Sequence, residues 1–377
     1  MKILHCPSNV GGNPQGLAKA ERELGYDSES LTLVQTVFQY PVDHVVWLYN
    51  DNFLIREYKR WKGMIHALKS YDVLHFNSGR SLAPHKIRKD FIGLRQILKL
   101  AYDKVYGGPF SFLDLKIAKK KGIVTAVTYQ GGDARQGDYC KKHYAIHFCH
   151  EDDVYTPATD KIKRDQIKIV ERYSDLIYAV NPDLMNVLPK RAKFIPYASV
   201  DPRKWSPKPL PEIPSEIPHI IHAPSNRSIK GTKYILSAFE RLKEEGISFR
   251  YTLVEGMSNQ AAREVYETAD ILIDQLLAGY YGGLAVELMS LAKPVICYMR
   301  EEDFKHMPQD MVRDMPVINA TPDELYEVLK RCLTTDKHKL RDIGLASRKY
   351  VETYHDPIQI AANLISDYKS IQEQKDI

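Results

Sequence analysis

Two turns in the second half of the chain carry residues suited to holding an anion. The first is the run 224–232, Pro-Ser-Asn-Arg-Ser-Ile-Lys-Gly-Thr, between an apolar strand pattern (219–223) and a helical one in which Ile235, Ala238, Phe239 and Leu242 share a face. Arg227 and Lys230 stand at that helix start, Gly231 permits close approach, and Thr232 can serve as a cap. A diphosphate seated there meets two cations and oriented N–H groups, which stabilise charge developing on a leaving phosphate. The second turn lies within 274–296. A short apolar strand (271–273) ends at Asp274, and Gly279, Tyr280, Tyr281, Gly282 and Gly283 form a turn. A helix carrying Glu287 follows, and Lys293-Pro294 opens another strand. Small residues bring a ligand near backbone N–H groups, and Glu287, about one turn into its helix, can accept hydrogen bonds from sugar hydroxyls. Glycine-rich strand–turn–helix units also occur with no ligand at all.

Other polar groups follow strands in the first half. Gly11 and Gly12 lie in a loop between the first strand and the helical stretch 17–24, either a ligand loop or a tight turn. His75, Asn77 and Ser78 end the strand at 72–76, where a lone histidine is more often structural. Gln130-Gly-Gly-Asp-Ala-Arg135 delivers Asp133 and Arg135 into a loop, the usual place for polar chemistry in α/β proteins. Glu255, after the strand at 249–254, marks a place for a nucleotide base to lie against backbone. Cys140, His143, His147, Cys149 and His150 crowd into eleven residues, but their spacing matches no standard zinc motif, and no metal is expected.

Short apolar runs alternating with helical stretches imply parallel βα units, hence an α/β protein. Strands are expected at 2–5, 30–34, 72–76, 123–129, 176–180, 193–196, 219–223, 249–254, 270–273 and 294–298. Five prolines within 206–218 exclude a helix or central strand and mark a linker. The expected architecture is two doubly wound domains facing across a cleft: residues 1–200, a linker at 201–218, and a second domain at 219–356. Between Lys86 and Val105 the residues Ile87, Phe91, Leu94, Leu98, Ala101 and Val105 recur at helical spacing, with Lys86, Arg88, Lys89, Arg95, Lys99 and Lys104 covering much of the rest. That pattern fits a surface helix packed on the sheet; the alternative is a basic face resting on anionic lipid.

A chain of 377 residues can bury two cores. The net charge of +5 is too small to imply nucleic acid. No apolar run approaches the roughly 20 residues of a membrane span. The N-terminus enters a strand pattern without a signal-peptide core, and five cysteines suggest no disulfide framework, so a cytoplasmic protein is expected.

The second-half motifs resemble those of retaining glycosyltransferases of the GT-B fold (group 1, family 4-like). Tyr281-Gly282 falls on the Phe-Gly of that family's Glu-Gly-Phe-Gly signature, Glu287 on its second glutamate, and Lys293-Pro294-Val295 on its exit. Arg227 and Lys230-Gly231 resemble the donor-diphosphate motif, with the arginine three residues before the lysine instead of five. Gly11-Gly12, the loop at Asp133, the segment 194–201 and the terminal crossover at 349–356 resemble first-half and closing motifs. The resemblance implies a nucleotide-diphosphate-sugar donor (a UDP- or GDP-sugar), a glycan or lipid-linked acceptor and no catalytic metal; the basic-face alternative at 86–105 would add peripheral contact with the inner face of a membrane. It implies roles for Asp133, Arg227 and Lys230 at the reaction centre. Donor binding falls to Gly11, Gly12, Glu255, Asp274, Tyr281, Gly282, Gly283 and Glu287, and the last helix (357–377) is expected on the first domain. The first glutamate of the signature is Gly279 here, and Gln130 replaces a histidine. Asp274 is the candidate substitute carboxylate, with a structural cap as the other reading. A nucleotide- or sugar-binding partner without turnover is the alternative function.

Overall fold

The computed structural model describes residues 1–36, 39–87, 91–208, 215–257 and 259–376. The chain divides into two compact units. Residues 209–214 of the expected linker, and Arg88 and Lys89 of the basic stretch, lie outside the described residues.

The first unit comprises Met1–Tyr139, Tyr155–Ser199 and Pro357–Ile377. Its strands are β1 (Lys2–Cys6), β2 (Asp27–Thr32), β3 (His44–Val45), β4 (Val73–Asn77), β5 (Val124–Tyr129), β6 (Leu176–Ala179) and β7 (Lys193–Phe194). They form one parallel sheet in the order β3-β2-β1-β4-β5-β6-β7. Strands covered on both faces need apolar residues at successive positions, and alternate side chains serve opposite cores. Leu4, Leu74, Phe76 and Val127 point to one core. Ile3, Val73, Val124, Ala126 and Tyr178 point to the other, where they meet Leu17 and the last helix's Ile360, Leu364 and Tyr368. That helix, Pro357–Asp376, is also held by polar contacts: Tyr178 donates to Asp367 (2.6 Å) and Lys375 to Asp175 (2.7 Å).

The second unit comprises Cys140–Val154 and Val200–Asp356. The short segment 140–154 therefore groups with the second half of the chain, whereas the sequence reading ran the first domain unbroken to residue 200. The reason is local. Phe148 N–H donates to Leu277 O (3.2 Å), and Glu151 accepts from Tyr234 (2.5 Å) and from Lys233. The strands β8 (His219–His222), β9 (Arg250–Leu253), β10 (Ile271–Ile273), β11 (Val295–Cys297) and β12 (Ile318–Asn319) form a parallel sheet in the order β12-β11-β10-β8-β9. Ile220, Ile271, Ile273 and Ile296 bury against Ile235, Phe239 and Leu242 of helix Thr232–Glu244. The chain leaves β8 toward β9 on one side, and β10 toward β11 on the other. That reversal opens a crevice at the carboxyl ends of β8 and β10, the place where open α/β sheets bind ligands.

Candidate functional site

The two turns singled out by their residue types both rise from that crevice. After β8 comes a single helical turn, Arg227–Lys230, whose N-cap Asn226 side chain accepts from Ile229 N–H (3.2 Å). Gly231, at φ +75°, ends this turn and starts helix Thr232–Glu244. A left-handed residue is needed there, which favours glycine, and a Cβ would also sit tightly against Leu276 and Leu277 at 3.2 and 3.3 Å. Lys230 is thereby aimed across the crevice at Asp274, the residue following β10.

Asp274 ties the two turns together. Its Oδ1 lies 2.5 Å from Lys230 Nζ, and its Oδ2 accepts from Gly282 N–H at 2.7 Å. The carboxylate is fully buried and the ammonium nearly so. A Cβ at Gly282 would lie 3.6 Å from Lys230 Nζ and 3.5 Å from Asp274 Oδ2, so the glycine leaves the space beside this pair open. Gly282 is the N-cap, and Gly283 the first residue, of helix Gly283–Ser290, on which half-buried Glu287 is the fifth residue. Lys230, Asp274, Gly282 and Gly283 thus meet in one place: a cation, a carboxylate and a helix start whose Gly282 N–H already donates to that carboxylate.

Beneath them His222 is buried, with Nδ1 2.8 Å from Ile273 O and Nε2 2.8 Å from Thr232 Oγ1. A carbonyl only accepts, so Nδ1 carries the proton and Nε2 accepts from the threonine. Burial, reinforced by Lys230, pushes the His222 pKa down to about 4. Thr232 is thereby occupied with His222, and the cap position expected for it belongs to Gly231.

Arg227 is drawn aside. Its guanidinium forms a two-pronged ion pair with Glu255 (2.8 and 2.5 Å) at the surface, and this pairing holds the Glu255 carboxyl below its ordinary range. Both residues follow adjacent parallel strands, β8 and β9, so the pair borders the same crevice edge. Tyr281 turns its ring inward: it is buried, stacks on Tyr280 (4.1 Å), and its hydroxyl meets Tyr350 (3.1 Å) and His355 (2.9 Å). Only the backbone of Tyr281 is left to face a ligand.

Sequence reasoning missed Arg300, which explains Gly279. Gly279 lies at φ +83°, and a Cβ there would come within 2.5 Å of the Arg300 guanidinium. Arg300 is buried, pairs with Asp303 (3.1 Å), donates to Ile146 O (2.9 Å) and lies over the Tyr144 ring (3.6 Å). Its backbone N–H donates to Gly279 O (2.9 Å). Nothing in the sequence distinguishes this arginine from any cation in a loop after a strand.

The remaining candidates belong to the first unit. Gly11 (φ +58°) and Gly12 (φ +70°) form the turn after β1, and Gly12 is the N-cap of helix Asn13–Glu23. A side chain on Gly12 would press on the Tyr40 ring (3.1 Å), whereas Gly11 faces open space. Asp133 is buried and closes its own loop, accepting from Gln130 N–H (3.0 Å) and Gly131 N–H (2.6 Å). Arg135 forms a two-pronged pair with Asp183 (2.6 and 3.0 Å). His75 is buried between Thr128 and Tyr368, each 2.6 Å away, and burial keeps it neutral.

Cys140, His147 and Cys149 bring three donor atoms within 4.8 Å of one another, all buried. His143 is exposed, and His150 bonds to Tyr144 O (2.7 Å). Among the described residues the cluster is one donor short of a closed tetrahedral zinc site, and His147 Nδ1 accepts from Cys149 N–H (3.1 Å).

No family model and no curated protein matches the sequence. Solved structures match it over nearly its whole length. Sucrose-phosphate synthase from Thermosynechococcus elongatus is 13% identical, with 98% of this chain and 99% of that one covered, at a TM-score of 0.59. Anabaena HepE, solved in complex with UDP-glucose, is 11% identical, with coverage of 98% and 100% and a TM-score of 0.59. The catalytic domain of Arabidopsis thaliana starch synthase IV, bound to ADP and acarbose, is 12% identical, with coverage of 99% each and a TM-score of 0.57. Identities this low speak to the fold: an α/β chain of two Rossmann-like units, the GT-B fold.

Proposed function

We propose that this chain is a retaining glycosyltransferase that moves a sugar from a nucleotide-diphosphate-sugar to an acceptor hydroxyl. The observation that carries the reading is the meeting of Lys230, Asp274 and the Gly282–Gly283 helix start at the carboxyl ends of β8 and β10. The donor diphosphate binds Lys230 and the helix N–H groups, with Arg227 released from Glu255 as a second cation. Glu287 takes the ribose, and the residues beside Glu255 take the base. As the sugar–phosphate bond breaks, its electron pair and charge pass to the diphosphate, where Lys230 and the N–H groups stabilise them. The acceptor's proton passes to a leaving-phosphate oxygen on the same face, so no separate base is required. Asp133 shapes the acceptor loop, and these cations serve where another enzyme would use a metal ion. The donor is a UDP- or GDP-sugar, and the acceptor a glycan or lipid-linked glycan in cytoplasmic steps of cell-surface polysaccharide or glycoconjugate synthesis.

Gly279 favours a second reading, a nucleotide-sugar-binding partner without turnover, because a buried arginine stands where the resembling family keeps a carboxylate. Incubation with a panel of UDP- and GDP-sugars, with and without simple glycoside acceptors, separates the two. Transfer or nucleotide release with one donor supports the enzyme. Nucleotide binding without release from any donor supports the partner, and no nucleotide binding defeats both.

A further inference from the structure

The helix Leu94–Tyr102 is turned opposite to the expectation that its apolar stripe packs on the sheet. Lys99 is the side chain facing in, only 7% exposed, while Leu94 (71%), Ile97 (63%) and Leu98 (60%) face out along one stripe. Ile92 before the helix and Val105 after it are exposed at 95% and 73%. The neighbouring helix Phe53–Ser70 begins the same way, with Phe53, Leu54 and Tyr58 all exposed. Phe53 meets Tyr102 edge-on at 6.4 Å, so the two apolar exposures adjoin. The stretch after the outward helix is anchored: Trp61 donates to the Tyr106 hydroxyl (2.6 Å), which donates to Glu57 (2.7 Å). Singly scattered surface hydrophobics are ordinary, but this many large ones exposed on two adjoining helices mark an interaction surface.

Its charge identifies the occupant. Lys62, Lys86, Arg95 and Lys104 are exposed around it. From Phe91 to Phe110 the only acid is Asp103, whose carboxylate accepts from Ile87 N–H (2.8 Å). Asp51, just before the adjoining helix, and Glu57, on it, are each bonded to a cation, Lys59 and Arg60. A second copy of this chain would set cations against cations. No helix among the described residues is long and apolar enough to cross a membrane. An apolar stripe rimmed by cations fits the interface of an anionic bilayer, where side chains enter the acyl boundary and lysines and arginines meet lipid phosphates. We propose that this face of the first unit docks on an anionic lipid bilayer. The proposal is independent of the donor reading, because it uses none of the second unit's residues.

Flotation of the full chain with vesicles tests it. The wild type is expected to float with phosphatidylglycerol-rich vesicles and stay behind with pure phosphatidylcholine. Leu94→Glu/Leu98→Glu should abolish flotation, and Arg95→Glu/Lys104→Glu should weaken it roughly tenfold or more. Both variants should keep the wild-type melting temperature and UDP affinity, since the altered side chains are exposed. Three results would overturn the proposal: no flotation of the wild type with either vesicle, undiminished flotation of both variants, or a wild-type dimer in sedimentation velocity that Leu94→Glu/Leu98→Glu dissociates. UDP binding in the same samples keeps failure of this inference apart from failure of the transferase reading.

Discussion

Lys230 pairs with Asp274 and, on the transferase reading, also holds the donor diphosphate, and the two duties can be separated. In Lys230→Met the buried Asp274 carboxylate keeps its hydrogen bond from Gly282 but loses the ammonium 2.5 Å away. Breaking a buried pair from one side costs about 3–5 kcal/mol, because the stranded charge remains desolvated. For a unit of this size that is a fall of roughly 10 °C in melting temperature. Donor affinity should fall as well, since a charge-assisted hydrogen bond to phosphate contributes about 1.5–3 kcal/mol, or roughly 10- to 150-fold. Adding Asp274→Asn removes the stranded charge while an amide oxygen can still accept from Gly282. The double variant should therefore recover most of the melting temperature but none of the donor affinity. Thermal melts and calorimetric titration with UDP on wild type, both single variants and the double variant complete the cycle. If the double variant binds UDP as the wild type does, Lys230 does not touch the phosphates and its role is confined to pairing with Asp274.

Three further outcomes are expected. Gly279→Ala forces a side chain into the left-handed region, at about 1–2 kcal/mol, and drives its Cβ against Arg300. Its urea midpoint should therefore drop well below the wild type's, and an unchanged midpoint would mean that Arg300 moves freely. Tyr281→Phe removes hydroxyl bonds to Tyr350 and His355 and should cost about 1 kcal/mol of stability while leaving UDP affinity intact; a loss of affinity would put the hydroxyl in the site. His222 titrates near pH 4 folded and near 6.5 unfolded, so between those values only the unfolded chain takes up the proton. Its contribution to stability is complete above about pH 6.5 and declines as pH falls toward 4, by about 2 kcal/mol at pH 5. Urea titrations at pH 7 and pH 5 should show that decline in the wild type, and a shallower one in His222→Gln.

The doubly wound sheets are legible in the sequence because buried parallel strands appear as short apolar runs between turn residues, and ten runs suffice to imply them. The two strands left out, β3 and β12, are two residues long and carry no periodicity to read. Lys230-Gly231 and Gly282-Gly283 announce themselves by type. Their connection through Asp274 does not, because residues 230 and 274 become neighbours only once β8 and β10 are adjacent. Periodicity likewise reveals the stripe on helix Leu94–Tyr102 but not which way it faces. Lys99 inside and Leu94 outside reverse the usual assignment, and only packing against the unit decides it. Gln130-Gly-Gly-Asp133 held a readable signal, since an aspartate after two glycines often accepts from the preceding N–H groups.

The glycine at 279 is best understood together with Arg300. A carboxylate at 279 would compete with Asp303 for the same guanidinium, which already holds Asp303, Ile146 O and the Tyr144 ring. On the transferase reading, positive charge develops at the sugar carbon as the phosphate leaves. An unbalanced arginine nearby would oppose that charge, and its pairing with Asp303 removes the objection. The carboxylate that faces the sugar must then come from elsewhere in the same crevice, and Asp274 is already there, oriented by Gly282 and screened by Lys230. Once a diphosphate draws Lys230 toward itself, Asp274 loses its counter-ion just as positive charge appears on the sugar. Gly279→Glu should therefore restore no activity to the protein, whereas Asp274→Asn should lower turnover far more than it lowers UDP affinity. If Asp274→Asn turns over donor at the wild-type rate, the site works without a facing carboxylate.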